Sequence, residues 1–288
     1  MGGVHTLLEV GGSIDLRDSA QRTLLHRACE EASTDTVAKL LDLGATVDAV
    51  EKRKQTPLHR ACERGRLDVV RLLVEQGGAN TRARAKLLHE PLHVACLGNW
   101  GGVVKFLLRE GHADIEAVDK NGLRCLHLAV QRNRLEAIRE LLKHGCDLEA
   151  TLSDGLTRPL HIACSSGYEK AASLLLEHQA DISAPGRNDH RPLHLAAKEG
   201  YPLIVELLIS ARADLHAKDN RGRTALKYSN NRRCKERIRE AERKEEKAAE
   251  VQRQLMLQQK RDKALRRREK ELLDRVELRS KARLPGGM

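Results

Sequence analysis

Seven short segments of the chain repeat at a near-constant interval, and that spacing limits the fold more than any other property of the sequence. Aligned on a Leu-His pair they read Thr23-Leu-Leu-His26-Arg-Ala28, Thr56-Pro-Leu-His59-Arg-Ala61, Glu90-Pro-Leu-His93-Val-Ala95, Arg124-Cys-Leu-His127-Leu-Ala129, Arg158-Pro-Leu-His161-Ile-Ala163, Arg191-Pro-Leu-His194-Leu-Ala196 and Thr224-Ala-Leu-Lys227-Tyr-Ser229. Successive starts lie 33, 34, 34, 34, 33 and 33 residues apart. A period of about 20–50 residues means that each unit is one supersecondary element which buries its apolar faces only against its neighbours.

Within a unit, Pro57 suits the first turn of a helix, where its missing N–H has no intrahelical partner to lose. Leu58, Ala61 and Cys62 then share one face, and Gly65 ends the helix. A second helix is predicted over 67–76, with Leu67, Val70, Leu73 and Val74 inward and Asp68, Arg71 and Glu75 outward. Turn residues such as Asp119-Lys-Asn-Gly122 and Asp219-Asn-Arg-Gly222 separate the units, the chemistry of a tight hairpin. Tetrapeptide, period and the downstream Leu-Leu cluster recur together, and the chain from residue 1 to about 230 closely resembles the ankyrin repeat.

The resemblance implies an all-α solenoid of stacked helix-turn-helix units with β-hairpin loops. Six full units start at Thr23, Thr56, Glu90, Arg124, Arg158 and Arg191, and a degenerate one at Thr224. Leu7-Leu8-Glu-Val-Gly11 aligns with Leu40-Leu41-Asp-Leu-Gly44, so residues 1–11 read as the second helix of a partial unit. An open edge there fits either an upstream segment or a covering partner. The expected division is a repeat array over 1–230, a charged helix or weak coiled coil over 231–284 and a disordered end at 285–288.

Charge is placed unevenly. The chain holds 52 Lys+Arg and 41 Asp+Glu, a formal net charge of +11 that by itself suggests nucleic acid or an anionic membrane. Residues 232–283 contribute 20 Lys+Arg against 11 Asp+Glu, while the rest of the chain holds 32 against 30. That tail lacks Gly and Pro up to Pro285, so a long helix follows. Its heptad seam of Ala241, Ala248, Val251, Leu255, Leu265, Leu272 and Val276 is interrupted by Lys244, Gln258, Asp262, Glu269 and Arg279, the pattern of a weak coiled coil. Binding of nucleic acid or membrane by this helix is the alternative, but eleven interleaved acids and the lack of any aromatic after Tyr228 weigh against it.

Several motifs compete with the repeat for an explanation. His89-Glu-Pro-Leu-His93 spells a zinc-protease signature, but Pro91 at the helix start leaves His89 outside the helix on which both ligands must lie. His26, His59, His93, His127, His161 and His194 form a ladder, and the resemblance implies that each bonds its own tetrapeptide turn. Cys29, Cys62, Cys96 and Cys164 share a slot filled elsewhere by Val130 and Ala197, so they read as small core residues. Met1-Gly2-Gly-Val-His-Thr6 fits a myristoylation pattern, for which one acyl chain gives only marginal anchoring. Lys260-Arg261 and Arg266-Arg267-Arg268 fit a nuclear import signal.

With no phosphate loop, paired nucleophile and base or metal-ligand spacing, the expectation is a non-catalytic scaffold or adaptor with no cofactor. The lack of a signal segment and the odd count of seven Cys lead to the expectation of an intracellular protein, in cytoplasm or nucleus. The resemblance implies that hairpins and first helices form a concave face for a partner protein. Candidate contacts are the basic tips Lys52, Arg53, Lys54, Arg82, Arg84 and Lys86, which suit an acidic segment. Trp100, Tyr168 and Tyr201 occupy one slot, filled by Arg66 and Arg134 in other units. Either they cover their own inter-helix turns or they are anchors for the partner. A regulatory fragment of a larger multidomain protein is a further alternative.

Overall fold

A computed structural model describes residues 13–281 of the chain. The partial unit at residues 1–11, the acylation pattern at Met1–Thr6 and the end of the chain from residue 282 lie outside the described residues. Among the described residues there are fourteen α-helices and no β-strand.

Twelve of these helices come in pairs, one per unit: α1 (Leu24–Glu31) with α2 (Thr34–Asp42), α3 (Pro57–Arg64) with α4 (Leu67–Glu75), α5 (Pro91–Gly98) with α6 (Gly101–Arg109), α7 (Cys125–Gln131) with α8 (Leu135–Lys143), α9 (Pro159–Ser166) with α10 (Glu169–Glu177), and α11 (Pro192–Glu199) with α12 (Pro202–Ser210). Each first helix packs on the first helix of the next unit and each second helix on the next second helix. The last unit keeps only α13 (Ala225–Tyr228), after which α14 runs from Arg232 to Lys281.

The core is a set of columns in which one slot is filled alike in every unit. Leu25, Leu58, Leu92, Leu126, Leu160 and Leu193 are all at most 2% exposed, and the slot of Cys29, Cys62, Cys96, Val130, Cys164 and Ala197 is closed completely. A thin layer between adjacent units is filled by Leu, Ala, Val and thiol groups at close packing, which leaves large rings little room. Burial pushes the Cys29 thiol up to about 12 and those of Cys62 and Cys164 higher still. All seven cysteines are buried and free.

The second helix bears out the expected span but not the full set of inward residues. Val69, Val70 and Leu73 are buried, whereas Leu67 and Val74 are only half-buried. Val69 joins the buried set because the second helix is flanked by its own first helix and by second helices on both sides, while Val74 and Leu67 stand at the edge of the covered stripe.

The segments between units form short fingers rather than laddered hairpins. Each is closed by two backbone bonds, such as Glu51 N–H to Gln55 O at 3.1 Å with Lys54 N–H to Glu51 O at 2.8 Å, and Asp119 N–H to Leu123 O with Gly122 N–H to Asp119 O, both at 3.0 Å. Among the described residues the one β-bridge is an isolated antiparallel contact between Val118 and Arg124. A carboxylate at the finger's start takes the amides that a ladder would otherwise use: Asp119 Oδ1 accepts from Asn121 and Leu123, and Asp219 Oδ1 from Arg221 and Arg223. The finger at Leu152–Thr157 closes over one more residue than its neighbours, and there the extra residue of that unit is absorbed.

A polar cluster holds the degenerate last unit. Tyr228 donates to Asp219 and lies 2.8 Å from His190 Nε2, while the Arg223 guanidinium stacks 4.2 Å over the Tyr228 ring and pairs with Asp219 at 3.3 Å. Burial would raise the Asp219 carboxyl, but the Tyr228 hydroxyl and the amides of Arg223 and Arg221 outweigh it and hold the group well below the carboxylate range. The chain divides into two compact units between Lys235 and Glu236.

Candidate functional site

The ladder histidines set the geometry of the finger face. In each unit the first-helix cap residue donates its backbone N–H to the His Nδ1, as Thr56 does to His59 at 3.2 Å and Arg191 to His194 at 3.2 Å. Nδ1 must therefore carry a lone pair, which leaves the proton on Nε2. That N–H points to a carbonyl beyond its own first helix: His26 to Gln55, His59 to His89, His93 to Ala117, His127 to Ala150, His161 to Ala184 and His194 to Arg223, all at 3.0–3.2 Å. The histidine thus bonds its own tetrapeptide turn and also ties the helix to the base of the next finger. Burial holds His26, His127, His161 and His194 below the ordinary imidazole value and brings His59 down to about 4.

His93 has both ring nitrogens engaged in this way. His89 stands outside α5, with its Nε2 3.5 Å from Asp119, and Glu90 pairs with Arg84. No group of three metal-ligating side chains gathers among the described residues.

The fingers stand in a row because their tips are bonded to one another. Lys52 N–H reaches Ala20 O at 3.2 Å, Lys86 N–H reaches Arg53 O at 2.8 Å and Lys120 N–H reaches Leu87 O at 2.9 Å. The exposed side chains of Lys52, Arg53, Lys54 and Lys86 are thereby brought together on adjacent tips. Arg82 and Arg84 are also exposed but are already engaged, Arg82 with His112 O at 3.2 Å and Arg84 with Glu90 at 3.3 Å. Lys54 and Leu88 occupy left-handed tip positions, both at φ 57°, where glycine stands in the fingers of Gly122 and Gly222. A side chain there is strained, as it is at Gln21, the equivalent tip residue of the preceding finger, with φ 63°.

The residue after each ladder histidine faces the same side, and its character changes along the array: Arg27 and Arg60, then Val94, Leu128, Ile162 and Leu195. Arg60 is held in place by Glu30 at 3.2 Å and Glu63 at 3.0 Å. Val94, Leu128 and Ile162 are 6–8% exposed and form a small apolar floor. Apolar finger residues rise beside it, with Leu87 50%, Val118 42% and Leu156 41% exposed. Sequence reasoning did not single these residues out, although aligning the position after each His shows the switch from Arg to aliphatic.

Trp100, Tyr168 and Tyr201 each reach back to the preceding unit. Trp100 Nε1 donates to Glu63 O at 3.1 Å and its ring covers Gly65 as well as Gly98 of its own unit. Tyr201 lies over Gly167, and the Tyr168 hydroxyl is 3.5 Å from Gln131 O. Arg66 does the same for α1, donating to Ala28 O at 3.1 Å. Trp100 and Tyr168 thus reach carbonyls near the end of the previous first helix, whereas the Ala28 O that Arg66 reaches also accepts the Ala32 N–H at 3.0 Å. Trp100 remains 41% exposed, so part of its indole is left for another contact.

A family model for ankyrin repeats, built as three copies, matches residues 2–85, 79–152 and 149–219. Among solved structures, the chain is similar to the ankyrin repeat domain of Bcl-3, described as a unique member of the IkappaB protein family. That match has 30% identity and a TM-score of 0.69 and covers 76% of this chain and 98% of that one. It is also similar to the human ASB11 ankyrin repeat domain, at 25% identity and a TM-score of 0.67, with 76% and 98% covered. No curated protein matches the chain.

Proposed function

The chain belongs to the ankyrin repeat family, whose repeats are generally protein-binding modules, and we propose that it is a non-catalytic scaffold which holds a partner protein along its fingers and first helices. The observation that carries this reading is the placement of an apolar floor, Val94, Leu128 and Ile162, beside a basic group of tips, Lys52, Arg53, Lys54 and Lys86. A partner segment suited to it has acidic residues toward the early fingers and aliphatic or aromatic ones toward the middle units. Steering and rim pairing would come from the tips, and the closely packed contact from the floor. Trp100, Tyr168 and Tyr201 border the same units, and in this reading only Trp100 combines a structural role with an open face.

Peptide selection from a random display library on the full chain tests it. Enriched peptides should combine acidic and apolar positions, and replacing Lys52, Arg53 and Lys54 together by Glu should weaken them and flatten their salt dependence. Enrichment of basic peptides, or binding indifferent to the charge reversal, would sink the proposal.

A further inference from the structure

Helix α14 exposes an apolar row along its length: Val251 is 66% exposed, Leu255 54%, Leu265 57% and Leu272 59%. With Ala241 and Ala248 they stand 7, 3, 4, 10 and 7 residues apart, steps built from threes and fours, and so lie on one stripe of the helix. The interruptions of that stripe are sorted by charge. Arg237 and Lys244 stand in its early part, Asp262 and Glu269 in its later part.

We infer that α14 is a self-association helix that pairs antiparallel with a second copy of the chain, centred on Arg253. In that register Asp262 faces Lys244 of the second copy and Glu269 faces Arg237 of the second copy. Leu255 meets Val251, Ala241 meets Leu265, and Glu240 flanks Arg268. Every charged interruption between 237 and 269 is opposed by its opposite, over about 50 Å of helix at a rise of about 1.5 Å per residue. One like-charge contact, Lys247 beside Arg261, remains.

A parallel pair is excluded by the same residues. It would set Asp262 against Asp262, Glu269 against Glu269 and Lys244 against Lys244, with Glu240 beside Glu245 and Arg261 beside Arg266. Sliding the antiparallel pair by one heptad places both Asp262 carboxylates against Val251 in one direction and both Lys244 side chains against Leu255 in the other. Polar layers weaken a coiled coil but fix its orientation and register, which is the use given to them here. Met256 and Leu257, exposed at 61% and 59%, lie outside the stripe and take no part.

Sedimentation equilibrium of the full chain over a concentration series tests the pairing, with circular dichroism to check that each variant stays folded. A monomer–dimer equilibrium is expected. Asp262→Lys should weaken the dimer about tenfold, since symmetry turns two attractive pairs into repulsive ones. Lys244→Asp should do the same, and the two together should return the affinity to within about threefold of the parent. A chain that stays monomeric at every concentration, a dimer indifferent to Asp262→Lys, or one not rescued by the charge swap would each overturn the inference; the last is the behaviour of a parallel pair.

Discussion

The smallest device in this molecule is a histidine that does two tasks with two nitrogens. In His59, Nδ1 accepts from its own cap residue and Nε2 donates to the carbonyl of His89. Replacement by Asn cannot reach both partners, so His59→Asn should cost about 2–4 kcal/mol in urea unfolding, because buried groups lose their bonds. The ring must be neutral to accept at Nδ1, and burial lowers its value from 6.5 to about 4. The unfolded chain then binds more protons between these two values, so stability is full above 6.5 and falls as the pH drops through the window to about 4. Urea midpoints taken at pH 7.5 and pH 5 should show the loss, and the His59→Asn variant should show a shallower one. The strained tips obey a different rule. Leu88 sits at φ 57°, so Leu88→Gly should raise stability by about 0.5–1 kcal/mol while weakening peptides selected on the finger face. A stabilised variant that binds unchanged would show that the leucine is not used there.

At the scale of elements, helix ends are completed by neighbours one unit away. Trp100 lies where a Cβ on Gly65 would come within 2.2 Å of its ring, and Gly65 itself has φ 69°. Gly65→Ala should therefore destabilise the array by about 2–3 kcal/mol, and Trp100→Ala by about 1–3 kcal/mol through the lost cover and carbonyl bond. The double variant should cost less than the sum, because the clash disappears with the ring; strict additivity in denaturant unfolding would refute this contact. Helix positions, caps and the core columns were legible in the sequence because period, Pro57, Gly65 and the Leu-His pair each report on local geometry. The reach of Trp100 and Arg66 into the preceding unit was not, since local spacing carries no information about which turn a side chain crosses. The apolar floor was hidden for a related reason. Val94, Leu128 and Ile162 look like ordinary core residues until the fold places them on the side of the fingers. The fingers between units stay short because Asp119 and Asp219 accept amides at their base and the ladder histidines each donate to a carbonyl there.

At the scale of the whole molecule, stability must follow the order of neighbours. Each unit is tied to the next by packed first and second helices and by one histidine bridge, so a central unit is held from two sides and a terminal one from one. Amides of α5, α7 and α9 should accordingly exchange hydrogen most slowly, those of α2 and α13 faster. The polar cluster of Tyr228, Asp219, Arg223 and His190 slows opening at the last unit, and Tyr228→Phe, which leaves Asp219 without that donor, should speed exchange in α13 and α11 but not in α3. Helix α14 has no comparable support from packed layers among its residues beyond 242, all of them exposed where described. Its amides from Arg243 onward should exchange faster than any in the array at low protein concentration, and slow as concentration rises if two copies pair. Uniform protection along the array would contradict the nearest-neighbour account, because it would require a cooperativity that reaches beyond adjacent units. A gradient from the centre outward, with α14 separate from it, is what stacked layers joined by single bridges dictate.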